Sequence, residues 1–125
     1  MAHLSLYLGL RASPATLGCD GANLWLHDGL DHDQLFARRG ETLDGPAPHL
    51  TVFFPSLKDP EARRHTAEVI VPIDAAGFAR WAGTRWMRRG PEYVALKERL
   101  TASLLARVER ELPGFSALVE VSELS

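Results

Sequence analysis

The chain has 125 residues and a formal net charge of −2, with 46% hydrophobic and 24% charged residues. This composition is typical of one soluble globular domain spanning residues 1–125, and it argues against a disordered chain. The near-neutral charge argues against general attraction to nucleic acid. No apolar run approaches the roughly 18 residues of a membrane-spanning helix. The single cysteine, Cys19, excludes an internal disulfide and a cysteine-rich zinc site, and it fits a cytoplasmic location.

Two apolar segments near the N-terminus predict strands. Residues 4–10, "LSLYLGL", end at turn-forming residues, and a turn at "GCDG" follows. In "ANLWLH", residues 22–27, Leu24 and Leu26 alternate with Trp25, which is the period of a strand with one buried face. The sequence therefore predicts two strands before residue 28.

The next stretch, "HDGLDHDQLFARRG", predicts the start of a helix. Asp31 is placed to cap the helix, Leu35 and Phe36 are predicted to face the interior, and Gly40 is predicted to end it. The arginines before Gly40 complement the negative end of the helix dipole.

The same stretch leaves two alternatives open, a contact with a substrate or partner and a metal site. The metal site would use a set of His and Asp ligands: His27, Asp31, His32 and Asp33. Since His27 and His32 are five residues apart across a predicted turn, the two side chains need not converge. A metal site also requires a rigid frame around its ligands.

The middle of the chain predicts an antiparallel hairpin with a long connection. Residues 50–54 form one strand, which breaks at Pro55, and residues 66–74 form the other. Long hairpin connections are often functional. Within this one, Ser56 is interpreted as a turn serine that bonds its own backbone. Lys58 and Asp59 are interpreted as solvated turn charges, or alternatively as residues that line a ligand.

The C-terminal half predicts a short helix, a loop, the longest helix and a last strand. Asp74 caps the short helix, and Pro91 opens the long one, which runs to about residue 112. Arg107 and Glu111 are expected to pair on the polar face of this helix. Residues 116–124 predict a final strand. The apolar stripe of the long helix recurs at spacings of three and four: Tyr93, Leu96, Leu100, Leu104, Leu105, Val108 and Leu112.

These elements predict an α+β fold. About five strands form a largely antiparallel sheet, and about three helices cover it, including the long helix of the C-terminal half. Strands and helices do not alternate regularly, which argues against a parallel α/β sheet.

The segment "RWAGTRWMRRG", residues 80–90, interleaves Trp81 and Trp86 with arginines. The favoured interpretation is a loop whose tryptophans pack under the helices while the arginine heads reach solvent. The alternatives are an interface with a partner or domain and, least favoured, stacking of single-stranded nucleic acid.

No motif of cofactor or catalytic chemistry is present. The chain lacks GxGxxG, a P-loop, HExxH and GxSxG. The remaining histidines, His3, His49 and His65, lie at or beside predicted strand ends and are interpreted as structural or exposed. The sequence therefore assigns no catalytic residue and no metal ligand.

Several spaced blocks resemble a known family. "LSLYLGLRASPATLG", "NLWLHDGLDHDQLFARR", "FFPSLKDPEARRHTAEVIVPID" and "YVALKERLTASLLARVERELPGF" occur in this order. Together they resemble the internal, substrate-side segment of FAD-dependent oxidoreductases of the phytoene desaturase and retinol saturase type. The resemblance covers nearly the whole chain, and its most specific part is "FPSLKDP" followed by "HTAEVIVPID".

The resemblance implies a sheet with covering helices beside the flavin of a larger enzyme. In such a parent, FAD would accept or donate a hydride across a double bond of an apolar, polyene-like or isoprenoid substrate. The segments that hold FAD would lie outside this chain, which would need the missing flavin domain as a partner and would be inactive alone. The substrate contacts implied on the most specific block are Phe53, Pro55, Ser56, Lys58 and Asp59.

A second hypothesis is a standalone, non-catalytic binding module. Its length suits an independent domain, and exposed apolar surface would then be buried in a homodimer or larger homo-oligomer. Neither hypothesis includes nucleic acid or a membrane span.

Overall fold

A computed structural model describes residues 2–125 of the chain. Five strands form one sheet with the spatial order β2-β3-β4-β1-β5, and every neighbouring pair is antiparallel. The predicted α+β class with an antiparallel sheet is thus confirmed. The strands are β1 (Ala2–Leu10), β2 (Leu24–His27), β3 (His49–Phe53), β4 (His65–Ile73) and β5 (Val119–Leu124).

The sheet has one buried face because apolar residues occupy alternate positions of its strands. In β1 every second residue from Leu4 to Leu10 is at most 8% exposed. Register continues the apolar surface across strands, since Leu6 lies opposite Val69 on one side and Leu124 on the other. The hydrophobic core therefore occupies a single side of the sheet, here called the inner face.

Helical elements cover the inner face. The α-helices are α1 (His32–Ala37), α2 (Pro55–Lys58), α3 (Pro91–Glu111) and α4 (Phe115–Leu118). Three 3-10 segments lie at Pro14–Leu17, Arg38–Leu43 and Ala75–Trp81. The predicted Asp31 cap is confirmed, since its carboxylate accepts the Gln34 N–H at 3.1 Å. The predicted Asp74 cap is confirmed too, on a 3-10 segment.

The long helix α3 supplies the largest helical part of the core. Gly90 adopts a φ of 88°, and Pro91 follows in the first helical position, as predicted. Leu100, Leu104 and Val108 are at most 1% exposed. The apolar stripe read from the sequence is therefore the face that packs on the sheet. Among residues 2–125, no helix is long and apolar enough to span a membrane.

Two expectations for the first helix were wrong. The α-helix ends at Ala37, and the chain continues as a 3-10 helix from Arg38 to Leu43. Gly40 lies inside this segment and is not the end of the helix. Leu35 is buried, but Phe36 is 43% exposed, and the Arg39 guanidinium stacks over its ring at 4.1 Å. A helix of six residues buries only one narrow face, and Phe36 does not lie on it.

The pair of Arg107 and Glu111 exists, but its predicted place on the polar face was wrong. Arg107 is 5% exposed. Its guanidinium donates to Glu111 at 2.9 Å and to Asp28, in the loop after β2, at 3.2 Å. This arginine is a buried tie between α3 and a distant loop, which helix periodicity cannot reveal.

Two expectations near the chain's end and in the arginine-rich loop also need correction. Residues 116–118 were predicted as strand but belong to α4, which follows Gly114 in the left-handed conformation. Trp81 is buried as expected, whereas Trp86 is 81% exposed and does not pack under the helices.

Candidate functional site

The side of the sheet opposite the helices carries a continuous, uncovered surface, here called the open face. Within residues 2–125, none of its members belongs to the hydrophobic core. Three of them are strongly exposed, namely Trp25 at 65%, Val121 at 63% and Tyr7 at 50%. The open face consists of Ser5, Tyr7, Gly9, Trp25, His27, His49, Thr51, Phe53, Thr66, Glu68, Ile70, Val121 and Glu123.

One cross-strand row of the open face is uncharged. Trp25 lies opposite Thr51, Thr51 opposite Ile70, and Ile70 opposite Ser5. Thr51 and Ser5 are 8% and 6% exposed, since flanking side chains shelter them in the middle of the sheet. Small hydroxyl residues therefore alternate with larger apolar side chains along this row, which suits contact with a flat apolar surface.

The neighbouring row combines aromatic rings with carboxylates. Phe53 lies opposite Glu68, Glu68 opposite Tyr7, and Tyr7 opposite Glu123. The third row ends in Gly9 opposite Val121. A Cβ added to Gly9 would meet Val121 at 3.5 Å, an ordinary contact distance, so the glycine leaves the backbone of β1 open at this point. The open face is thus amphipathic, with aromatic and aliphatic groups beside two acids.

Of the five predicted substrate contacts, Phe53 and Lys58 meet at a corner of the open face. The Lys58 ammonium lies 5.8 Å from the centre of the Phe53 ring. It also donates to the side-chain carbonyl of Asn23, just before β2. Lys58 is the cation that the structure places against an otherwise apolar and acidic surface.

The other three predicted contacts build the turn. Pro55 begins α2, and Asp59 accepts the Glu61 N–H at 2.9 Å. The Ser56 hydroxyl accepts the Thr66 N–H at 3.0 Å and donates to the Thr66 carbonyl at 3.3 Å. The sequence predicted that Ser56 bonds its own backbone, and this prediction was wrong. Ser56 instead links α2 to the start of β4.

Three histidines meet at one end of the open face. The His27 ring centre lies 6.0 Å from that of His49 and 5.6 Å from that of His32. His27 and His49 are register partners on β2 and β3, while His32 begins α1. The sequence provided no reason for the side chains of His27 and His32 to converge, and it did not place His49 beside them. The signal was the pairing of the two strands, which becomes visible only once their register is known.

The surroundings of His49 disfavour its protonation, and the cluster is not preformed for a metal. Burial lowers the pKa of His49, and the neighbouring His27 and His32 imidazoles lower it further. The Nδ1 atoms of His27 and His49 are buried without a hydrogen-bond partner. Among residues 2–125, no group of three or more His, Cys, Asp or Glu side chains has an arrangement that could hold a metal ion.

The described residues do not fit the dinucleotide part of FAD. Such binding normally uses a parallel strand-helix-strand unit with a glycine-rich turn at the helix N-terminus. Every strand pair here is antiparallel, and the sequence has no GxGxxG. Any flavin beside the open face would have to be held by other residues.

Comparisons with protein-family models, with curated proteins and with solved structures found no match. The resemblance to FAD-dependent oxidoreductases therefore rests on the sequence blocks alone.

Proposed function

We propose that this chain is the substrate-binding portion of a phytoene-dehydrogenase-like FAD-dependent oxidoreductase that acts on an apolar, polyene-like or isoprenoid substrate. The observation that carries the proposal is the open face. One side of an antiparallel sheet exposes Tyr7, Trp25 and Val121 while the other side holds the whole core. A surface of this kind marks a site of contact with an apolar ligand or another domain.

The chain's own part in this function is binding and exclusion of water. Tyr7, Trp25 and Phe53 offer flat rings to a conjugated apolar chain, and the small residues Ser5, Gly9 and Thr51 let it approach the backbone closely. Lys58 at the corner would orient a polar end of the ligand. The flavin domain, supplied by other residues, would bring the hydride chemistry.

The test uses the intact gene product that contains these residues. It is purified and its flavin content is read from the absorption spectrum. Turnover of a polyene substrate is then compared between wild type and the open-face variant Trp25→Ser. The matched control is Leu30→Ser, because Leu30 is 93% exposed in the loop between β2 and α1 and does not belong to a strand.

The proposal expects bound flavin and a rise of roughly tenfold in KM for Trp25→Ser, with little change for Leu30→Ser. An intact product without flavin would refute it. If such a flavin-free product were a monodisperse dimer that Trp25→Ser splits into monomers, the standalone homodimeric module would be correct instead.

A further inference from the structure

A concave surface that meets the open face only at Glu123 lies between the loop before α3, the first turns of α3 and the end of β5. Its cavity volume is about 800 Å³. Small-molecule sites typically have volumes of about 300–1,000 Å³. The groove is thus large enough for one elongated organic molecule.

One wall of the groove is apolar and aromatic. Trp86 and Met87 are 81% and 80% exposed, and Val94 on α3 is 55% exposed. Three large apolar side chains are thus open to solvent around one concavity, and such clusters of exposed apolar groups often mark a contact site. This wall suits the hydrocarbon part of a ligand.

The same groove also carries positively charged side chains. Arg88, Arg89 and Lys97 line the groove, and Glu123 is the only acidic side chain among its lining residues. Across residues 2–125, the salt bridges involve other arginines, and none of these three cations has a carboxylate within 4.0 Å. Their charges remain available to an anion.

Tyr93 holds part of this charge in place. Its hydroxyl accepts a hydrogen bond from Arg89 at 3.0 Å, and the Lys97 ammonium lies 5.9 Å from its ring centre. The Tyr93 ring is itself fixed edge-to-face on the buried Trp81 at 5.3 Å. A rigid aromatic ring therefore keeps two cations on the groove's wall, which reduces the ordering cost of binding.

We propose that this groove binds a single amphipathic anion, an apolar chain that ends in a carboxylate or phosphate. The combination of a concave volume, exposed apolar side chains and an excess of unpaired cations carries this inference. It does not rest on the proposed function, because Glu123 at the end of β5 is the one residue that the groove shares with the open face, and the cations and apolar side chains of the groove lie outside that face. The expected occupant is one free ligand molecule and not a membrane surface, since a concave site of this size fits one molecule.

The experiment measures binding of cis-parinaric acid, a fluorescent polyene carboxylate, with its uncharged methyl ester as the matched ligand. The charge variants are Arg88→Met and Lys97→Met, and the matched control is Arg85→Met, which removes a cation of the same loop that does not line the groove. Glu123→Gln removes the only acidic side chain of the lining. Thermal unfolding verifies that each variant is folded.

The acid is expected to bind about tenfold more tightly than the ester, which corresponds to about 1.4 kcal/mol. Arg88→Met and Lys97→Met are each expected to weaken it roughly threefold or more, and Arg85→Met to leave it unchanged. Glu123→Gln is expected to strengthen it roughly twofold.

Three outcomes would overturn the proposal. The first is equal affinity for acid and ester, and the second is an equal loss with Arg85→Met. The third is that the protein binds phosphatidylglycerol vesicles but does not bind free cis-parinaric acid. The loop before α3 would then be a membrane contact. If Trp25→Ser abolishes binding and the groove variants do not, the ligand occupies the open face. That result would refute the groove while leaving the proposed function intact.

Discussion

The two faces of the sheet are built from the same strands yet differ in almost every property. On β1, Leu6 is fully buried, while its neighbour Tyr7 is 50% exposed. The inner face is aliphatic and sealed by α3, whereas the open face mixes rings, hydroxyls and carboxylates. Stability is therefore concentrated on one side, and the other side is free to make contacts. Substitutions on the two faces should separate folding from binding.

The sharpest contrast is between adjacent residues of β1. Leu6→Ala is expected to lower the free energy of unfolding by about 2–5 kcal/mol, because it leaves a cavity opposite Val69 and Leu124. Tyr7→Ala is expected to cost less than about 1 kcal/mol, since half of the ring is already in water. Urea unfolding of both variants measures the difference. Similar losses would mean that the open face is part of the folding core.

The next largest effect is expected at the buried tie between α3 and the loop after β2. Arg107→Ala is expected to cost about 1–3 kcal/mol, because it removes a packed side chain and the partner of Asp28 and Glu111. The loss stays below that of a fully buried pair, since those carboxylates are 32% and 44% exposed.

Arg110→Ala is the matched control, because its side chain is 63% exposed on the same helix. Urea unfolding again gives the free energies. Equal effects of the two variants would contradict the structural role of Arg107.

A smaller effect separates Ser56 from Lys58 within the predicted contact block. Ser56→Ala is expected to cost about 1 kcal/mol, because two hydrogen bonds to the Thr66 backbone are lost. Lys58→Ala is expected to leave stability almost unchanged but to weaken binding of a substrate with a polar end. Unfolding and substrate titration of both variants distinguish the roles. A binding defect in Ser56→Ala equal to that in Lys58→Ala would remove the distinction.

The smallest expected effect is a pH dependence at the histidine cluster. The folded pKa of His49 lies below its ordinary value of 6.5, so the unfolded chain binds a proton more readily than the folded one. Its contribution to stability is complete above pH 6.5 and is lost as the pH falls below that value.

His49→Gln is expected to flatten the dependence of unfolding free energy on pH between about pH 8 and pH 5. The control is His65→Gln at the exposed start of β4. An unchanged slope in His49→Gln would exclude the cluster as its source.

Local patterns predicted the elements well where one strong signal decided them. The strand of β1, the Asp31 cap, the Pro91 start of α3 and the buried stripe at Leu100 and Leu104 all follow from short-range chemistry. The predictions were wrong where neighbouring rules competed. Residues 116–118 have a strand-like composition, but the left-handed Gly114 before them leads into a helical turn instead.

The candidate sites were less accessible from the sequence. Phe53 and Lys58 were named from the resemblance, and the structure brings them together at the corner of the open face. Trp25 and Tyr7 carried no signal beyond their place in a strand. The groove beside Tyr93 depends on the meeting of a loop, a helix and the last strand, which are distant in the chain.

The sequence by itself determined which residues form strands and helices, and which side of each element is apolar, because periodicity and caps act over a few neighbouring residues. Only the tertiary structure decided that one side of the sheet stays uncovered, that Arg107 is buried against Asp28, and that three histidines converge. These features depend on strand order and register, which arise from contacts between segments far apart in the chain.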